Sequence, residues 1–381
     1  MQYQCGKCNN TYEISPLRYK CDCGNALNLA ADSYIRPNFT YTGKICLSAT
    51  FPQVPGAMSL WRYREALPID AETEIVTLGE GTTPLIPLDT DTPAHLLKLD
   101  YLCPTGSYKD RGASVLLTHL KALGVTAVVE DSSGNAGAAI AAYSARAGIQ
   151  CTIYCPASTS QGKLKQISAY GAEMKLVEGN RMATTEAVKL AAETTCYASH
   201  NWHPFFLEGT KTLAYEIVEQ LGGRAPTHVI CPVGFGSIYL GLFIGFRELQ
   251  THGIIENTPR LLGVQPDVCC PIYNAYLENT KSISRMKQTG ETLAEGITAE
   301  LPIRGDMILE ALRFTNGAFT TVDAADIQSG ITTLAAKGVY VEPTSAVVIK
   351  AYQKFQEKNI IQKGDLTVSI LTGIGLKASS K

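Results

Sequence analysis

The sequence predicts an α/β protein built on parallel sheets. From about residue 96, short apolar runs alternate with segments of helical length and period. Polar or glycine-bearing loops lead from the apolar runs into the helices. Gly124, Gly148 and Gly171 close successive helices. Composition agrees with a globular chain: 45% of the 381 residues are apolar and 18% charged, ample material for one large or two medium cores. Lys and Arg total 33 against 35 Asp and Glu, so the net charge is -2, without the basic excess of a nucleic-acid binder. No apolar run reaches the roughly 18 residues of a membrane span. Met1-Gln2-Tyr3-Gln4-Cys5 offers neither a basic nor an apolar leader, and a cytoplasmic location is expected.

The N-terminal segment has a different character from the alternating region. Four of the 12 cysteines fall in the first 23 residues, as Cys5-Gly6-Lys7-Cys8 and Cys21-Asp22-Cys23-Gly24. Thiolates at Cys5, Cys8, Cys21 and Cys23 match the wrapping of one tetrahedral zinc, with Gly24 allowing a tight turn beneath it. Two free-thiol turns are the alternative. In either case the role is structural, since four thiolates leave no open position for substrate. Cys151, Cys155 and Cys231 lie in apolar runs and read as buried reduced thiols.

The alternating region begins with a strand at 96–100 and a polar loop at 104–112. The helix after that loop ends near Leu123, with Ala113, Leu116, Leu117, Leu120 and Leu123 on one face. Strand 127–130, helix 136–147, strand 151–154, helix 161–170, strand 174–177 and helix 184–193 repeat the cycle. A helix over 210–220, strand 228–231 and a helix ending near Leu249 come next. Strand 261–264, helices near 303–313, 324–337 and 344–357, and strand 366–371 complete the chain, while 279–302 is polar and carries no clear pattern.

Three loops carry candidate chemistry. Lys109, in Ser107-Tyr108-Lys109-Asp110-Arg111-Gly112, stands at a helix start, where the dipole disfavours an ammonium and favours an imine-forming amine. A solvated first-turn lysine is the plainer reading. Asp131-Ser132-Ser133-Gly134-Asn135 joins a strand end to a helix start, so Ser132, Ser133 and backbone N–H groups converge where a carboxylate or phosphate binds, or simply cap the helix. Gly234-Phe235-Gly236-Ser237 lets the backbone approach an anion at another helix start, without the lysine of a Walker loop. One imine lysine, one polar strand-end loop and one phosphate cradle fit a single cofactor, pyridoxal phosphate.

The order of these loops resembles the tryptophan-synthase-β-like group, the fold type II pyridoxal enzymes, over about residues 75 to 377. Within it, the segment Pro104-Thr105-Gly106-Ser107-Tyr108-Lys109-Asp110-Arg111-Gly112 is similar to the P-T-G-S-F-K-D-R-G of the threonine synthase family. Gly79-Glu80-Gly81-Thr82-Thr83-Pro84-Leu85, Glu342-Pro343-Thr344-Ser345-Ala346 and Thr372-Gly373-Ile374-Gly375-Leu376-Lys377 resemble further family segments. The N-terminal cysteine pairs also recur in some threonine synthases.

The resemblance implies a two-lobed fold preceded by a zinc-ribbon-like segment over 1–35. A large lobe is expected from 45–96 and 208–381, and a small lobe from 97–207, with the cofactor between lobes. It implies that Lys109 holds the cofactor covalently and moves protons. Asn135 would bond its phenolic oxygen, Gly234, Phe235, Gly236 and Ser237 its phosphate, and Thr372 its ring nitrogen. A homodimer acting on a small amino acid is expected, with no nucleic acid and no membrane.

One departure bears on substrate. Family members carry N-S-x-N-P-x-R-x-x-G-Q-K-T, whose asparagine, serine and arginine grip the phosphate of O-phosphohomoserine. The matching stretch here runs from His200-Asn201-Trp202-His203-Pro204 through Phe206 to Gly209-Thr210-Lys211-Thr212, with Phe206 in the arginine's place. Loss of that guanidinium removes about 1.5–3 kcal/mol of charge-assisted bonding. His200, Asn201 and Lys211, with Ser132 and Ser133, are therefore the candidate substrate contacts, and His203 is a further candidate cation. Conversion of O-phosphohomoserine and water to threonine and phosphate is the expected activity. The alternative is β-replacement or β-elimination on a serine-type substrate, as in cysteate synthase or serine/threonine deaminase. A non-catalytic binding protein is the reading from another class, and the intact Lys109 opposes it.

Overall fold

A computed structural model describes residues 1–30, 58–90, 94–159, 161–179 and 181–377. Residues 31–35 of the expected ribbon segment, 45–57, 91–93 and 378–381 of the expected large lobe, and 160 and 180 of the expected small lobe lie outside the described residues. The described chain divides into two compact units. Residues up to Thr82 and Cys103–Thr210 form unit one; Thr83–Leu102 and the residues from Lys211 on form unit two.

Unit one holds two sheets. The N-terminal strands Thr11–Glu13, Gln2–Cys5 and Leu27–Leu29 form a small antiparallel sheet in that order. The second sheet is parallel throughout, in the order Glu173–Val177, Gln150–Pro156, Ala127–Glu130, Cys196–Tyr197. Its helices match the sequence pattern. Asn135–Ala147 is rich in alanine and buries Ala136 to Ser144 without a break. Gly148, at φ 73°, ends it, and the Ile149 N–H closes on the Ser144 carbonyl at 2.9 Å.

The stretch 58–82 is pinned into this unit by single buried groups. The Glu80 carboxylate is fully buried and accepts from Trp61 Nε1 (3.1 Å), Tyr143 Oη (2.6 Å), Thr77 Oγ1 and the Leu78 N–H. Four donors on one carboxylate meet the requirement that a buried charge be bonded. Trp61 Nε1 also donates to Ser114 Oγ at 2.9 Å, and the Val76 N–H to Thr118 Oγ1 at 2.9 Å, so the helix Lys109–Ala122 is held along its length.

Unit two is a six-stranded sheet in the order Ala318–Val322, Arg260–Pro266, His228–Pro232, Thr367–Ile370, His95–Lys98, Leu85–Pro87. All neighbours are parallel except the last pair. Helices Thr212–Gln220, Ser237–Thr251, Pro271–Leu277, Gly305–Phe314, Ala324–Ala335 and Pro343–Glu357 belong to it. The strand His95–Lys98 buries Lys98, whose Nζ meets Glu216 at 2.6 Å and the Thr83 carbonyl at 2.6 Å. The stretch 279–302 carries one short 3-10 turn, Glu295–Ile297. No helix among the described residues is long and apolar enough to cross a membrane.

Candidate active site

Ligands of parallel sheets bind at the carboxyl ends of the strands, and part of the expected set stands there: Ser132, Ser133, His200 and Asn201 in unit one, and the Gly234–Ser237 loop and Thr372 in unit two. In unit one Val128 pairs with Cys196 and Val129 with Tyr197. Those two neighbouring strands run on into Asp131-Ser132-Ser133-Gly134 and Ser199-His200-Asn201, so the two predicted substrate segments leave the sheet side by side. Asp131 fixes the first loop by accepting from Tyr197 Oη (2.8 Å) and Thr185 Oγ1 (3.1 Å). Ser132 Oγ accepts the Gly134 N–H at 3.3 Å. Gly137 lets the loop lie directly on its helix, because a Cβ there would collide with the Ser132 carbonyl. Ser133 and Asn135 are half-buried at the helix start. Glu130 ends its strand with a buried carboxylate that meets His200 Nδ1 at 2.7 Å.

Lys109 is the first residue of Lys109–Ala122, and the preceding Tyr108 supplies no side-chain cap. Asp110 folds the loop back by accepting the N–H and hydroxyl of Thr105. Lys109 Nζ lies 4.7 Å from the centre of the Tyr108 ring and 5.6 Å from that of Phe206. Phe206 is fully buried, its ring seated over Gly112, where a Cβ would strike it. A Cβ at Gly209 would likewise strike the Arg111 carbonyl. These two glycines bring the helix Pro204–Thr210 against the Lys109 helix. The His200 ring stands edge-on to Phe206 at 6.0 Å. Lys109, Phe206 and His200 are thus neighbours, and an aromatic ring stands beside the amine.

The other candidate cations lie elsewhere. His203 packs with His119 (5.9 Å) and Phe205 (5.7 Å), and its Nε2 is 3.5 Å from Tyr3 Oη. Lys211 belongs to unit two, where its buried ammonium lies 3.1 Å from Glu248 Oε2 and 3.2 Å from Oε1. Glu248 also accepts from Tyr215 Oη.

In unit two the parallel strands His228–Pro232 and Thr367–Ile370 are neighbours. The first leads to Gly234-Phe235-Gly236-Ser237 and the second to Thr372. Gly236 adopts φ 91° and starts the helix Ser237–Thr251 with no side-chain cap, so the N–H groups of the first turn are presented for an anion. Gly234 rests on Ile297, whose Cα a Cβ would approach within 2.9 Å. Phe235 is half-buried and Ser237 buried. Thr372 is buried, with Oγ1 2.9 Å from Ser345 Oγ. Taken unit by unit, the chemistry suits pyridoxal phosphate: unit two offers a glycine-lined helix start and a buried hydroxyl, and unit one a primary amine.

The cysteine pairs converge as their spacing suggested. The ligand atoms of Cys5, Cys8, Cys21 and Cys23 all lie within 4.8 Å of one another. Sγ atoms of Cys5 and Cys23 are 3.6 Å apart, and those of Cys8 and Cys21 3.4 Å. Four sulfurs placed tetrahedrally about 2.3 Å from a zinc ion stand about 3.8 Å apart, so the cluster fits that metal with small outward shifts.

Sequence reading missed Glu130, Asp131 and Asp110 as the residues that orient the site. Acidic residues at a strand end or in a helix's first turn were the available signal.

A family model described as pyridoxal-phosphate dependent enzyme matches residues 76–373. A threonine synthase from Methanocaldococcus jannaschii is 36% identical, over 99% of this chain and 93% of that protein. One from Synechocystis sp. is 36% identical, over 83% of this chain and 82% of that protein. Among solved structures, threonine deaminase isoform 2 from Solanum lycopersicum aligns at TM-score 0.67 and 21% identity, covering 78% of this chain and 80% of its own. Maize serine racemase aligns at TM-score 0.67 and 20% identity, covering 78% and 88%. At such identities these two show the fold alone. The family match spans Lys109, the Gly234–Ser237 loop and Thr372, and the sequence relatives extend it to the cysteine pairs: the chain belongs to the pyridoxal-phosphate dependent enzymes and, within them, to the threonine synthase family.

Proposed function

We propose that the chain is a lyase converting O-phosphohomoserine and water to threonine and phosphate. The observation that carries this reading is the Lys109 loop: an amine at the head of a buried helix, in a family-like segment that Asp110 locks in place. Bound pyridoxal phosphate supplies an electron-withdrawing ring that makes the protons beside the amino acid's nitrogen acidic. Lys109 holds the cofactor and takes protons first from Cα and then from Cβ. Phosphate leaves Cγ, which then takes a proton to become the methyl group; the hydroxyl of water adds at Cβ and a proton returns to Cα, giving threonine. Asn135, Gly234, Phe235, Gly236, Ser237 and Thr372 hold the cofactor. Ser132, Ser133, His200 and Asn201 receive the amino acid.

The Cys5, Cys8, Cys21 and Cys23 cluster is proposed to hold one structural zinc. A cytoplasmic homodimer belongs to the same reading, and sedimentation of the cofactor-loaded protein measures the dimer. Lys211 is a weaker substrate contact than its sequence position suggested, because Glu248 already neutralises it.

The buried Phe206 favours a second reading, β-replacement or β-elimination on a serine-type substrate, since an aromatic wall near Lys109 offers a phosphate no charge. One assay separates the two. Release of phosphate from O-phosphohomoserine with threonine formed in equal amount supports the first. Absence of threonine at millimolar substrate, with keto acid and ammonia formed from serine, supports the second.

A further inference from the structure

The hydrogen-bond pattern behind Thr372 restricts where its proton goes. Ser345, fully buried in the first turn of Pro343–Glu357, offers one hydroxyl proton and two lone pairs. Ser345 Oγ accepts the Thr372 N–H at 2.9 Å and the Gly373 N–H at 2.8 Å. Both lone pairs are then engaged. The remaining contact, to Thr372 Oγ1 at 2.9 Å, therefore has Ser345 as donor and Thr372 as acceptor. The other acceptor within reach of the serine proton, the Gly373 carbonyl, is farther at 3.2 Å and already accepts the Glu342 N–H at 3.0 Å. On either path Thr372 cannot donate to Ser345, and its proton turns away from the serine.

We propose that Ser345 is a positioning residue that fixes the direction of the Thr372 hydroxyl, so that Thr372 donates to the pyridine nitrogen of the cofactor and holds that nitrogen as an unprotonated acceptor. This rests on the proposed placement of Thr372 facing that nitrogen. Glu342 also stands against this corner: its carboxylate lies over Gly373, where a Cβ would collide with it. A proton given by Thr372 to Glu342 would leave only lone pairs toward the ring, which requires a protonated nitrogen. Donation by Ser345 to Thr372 Oγ1 keeps the threonine proton off the serine and free for the ring nitrogen.

The test loads the full chain with pyridoxal phosphate labelled with nitrogen-15 in the ring and reads the ring nitrogen by solid-state NMR. The wild type should resonate as a hydrogen-bonded, unprotonated pyridine. Ser345→Ala frees Thr372 to rotate, and the signal should move toward the protonated range. Ser345→Thr, which keeps the hydroxyl, should hold the wild-type position. If Ser345→Ala fails to retain cofactor, Ser345→Cys, a weaker donor, should move the signal in the same direction by less. A protonated signal in the wild type overturns the proposal. So does an unmoved signal in a loaded Ser345→Ala or Ser345→Cys, while the cofactor reading stands. Thr372→Val separates the two levels: if it leaves the nitrogen signal unchanged, Thr372 does not face the ring and the underlying placement falls as well.

Discussion

Lys211→Ala distinguishes a substrate cation from a structural one. The ammonium lies 3.1 Å from Glu248 Oε2, and the two side chains are only 1% and 8% exposed. At an effective dielectric of about 20, charges at that separation attract by about 5 kcal/mol. Desolvation of both ions offsets most of it, so the intact pair contributes little net stability. Removing the lysine alone is different, because the buried Glu248 carboxylate loses this ammonium, a loss of about 3–5 kcal/mol. Tyr215 Oη still donates to Glu248, which places the expected loss near the lower end, about 3 kcal/mol. In a unit of this size that lowers the melting temperature by about 6–12 °C. Calorimetry of the loaded enzyme measures it, and Lys211→Met with Glu248→Gln should recover most of the loss. The Michaelis constant for O-phosphohomoserine should change little. A Lys211→Ala enzyme that melts like wild type but needs more than about tenfold more substrate, at unchanged kcat, would refute the argument, since that pattern marks lost uniform binding.

Three further outcomes rest on single residues. Lys109→Ala should lower kcat by at least about 10³-fold with an unchanged circular dichroism spectrum, because a half-buried surface amine is lost and the helix behind it remains. Cys5→Ser should remove about one zinc equivalent per chain by metal analysis. It should also speed hydrogen exchange over residues 197–206, since Tyr3 packs on His203 and Tyr19 on Tyr197 and Trp202. Burial pushes His119 down to about 3, so the folded form keeps it neutral while the unfolded chain takes up a proton below about pH 6.5. The unfolded state then binds more protons, and stability falls with pH from about 6.5 toward 3, by about 2 kcal/mol between pH 6.5 and 5. Denaturant midpoints at several pH values check the sign, and His119→Phe should flatten that part of the profile.

What the sequence made legible was the part with a period. The helix beginning at Lys109, the alanine-rich helix Asn135–Ala147 and the strand His228–Pro232 stand close to where spacing placed them. The short strands Cys196–Tyr197, Leu85–Pro87 and Ala318–Val322 were not legible, because two to five residues carry too little pattern and their pairing is long-range. Cys196–Tyr197 matters most, since its pairing with Val128 and Val129 sets His200 beside the Ser132 loop. The same limit hid the membership of 58–82, which rests on Glu80, Trp61 and Val76 rather than on any repeat. Candidate residues could be named from motifs. Their orienting partners, Glu130 for His200 and Asp110 for Thr105, needed the fold.

Phe206 shows how a motif position can be taken over by packing. An arginine at this place would have to put a guanidinium where a phenyl ring is fully enclosed. The enclosure is built by two glycines: Gly112 accepts the ring face, and Gly209 lets its helix meet the Arg111 carbonyl. Phe206→Arg therefore does not restore a phosphate grip. It deletes a buried ring, worth about 3–5 kcal/mol, and adds a charge whose burial costs more. The variant should be destabilised by at least about 4 kcal/mol and lose activity on either substrate class. Gly112→Ala should mimic part of the effect by forcing the same ring aside. Urea midpoints and both substrate assays measure this. A Phe206→Arg enzyme that melts like wild type and handles O-phosphohomoserine better would show that the ring yields, and that a cation at position 206 is compatible with the Lys109 loop.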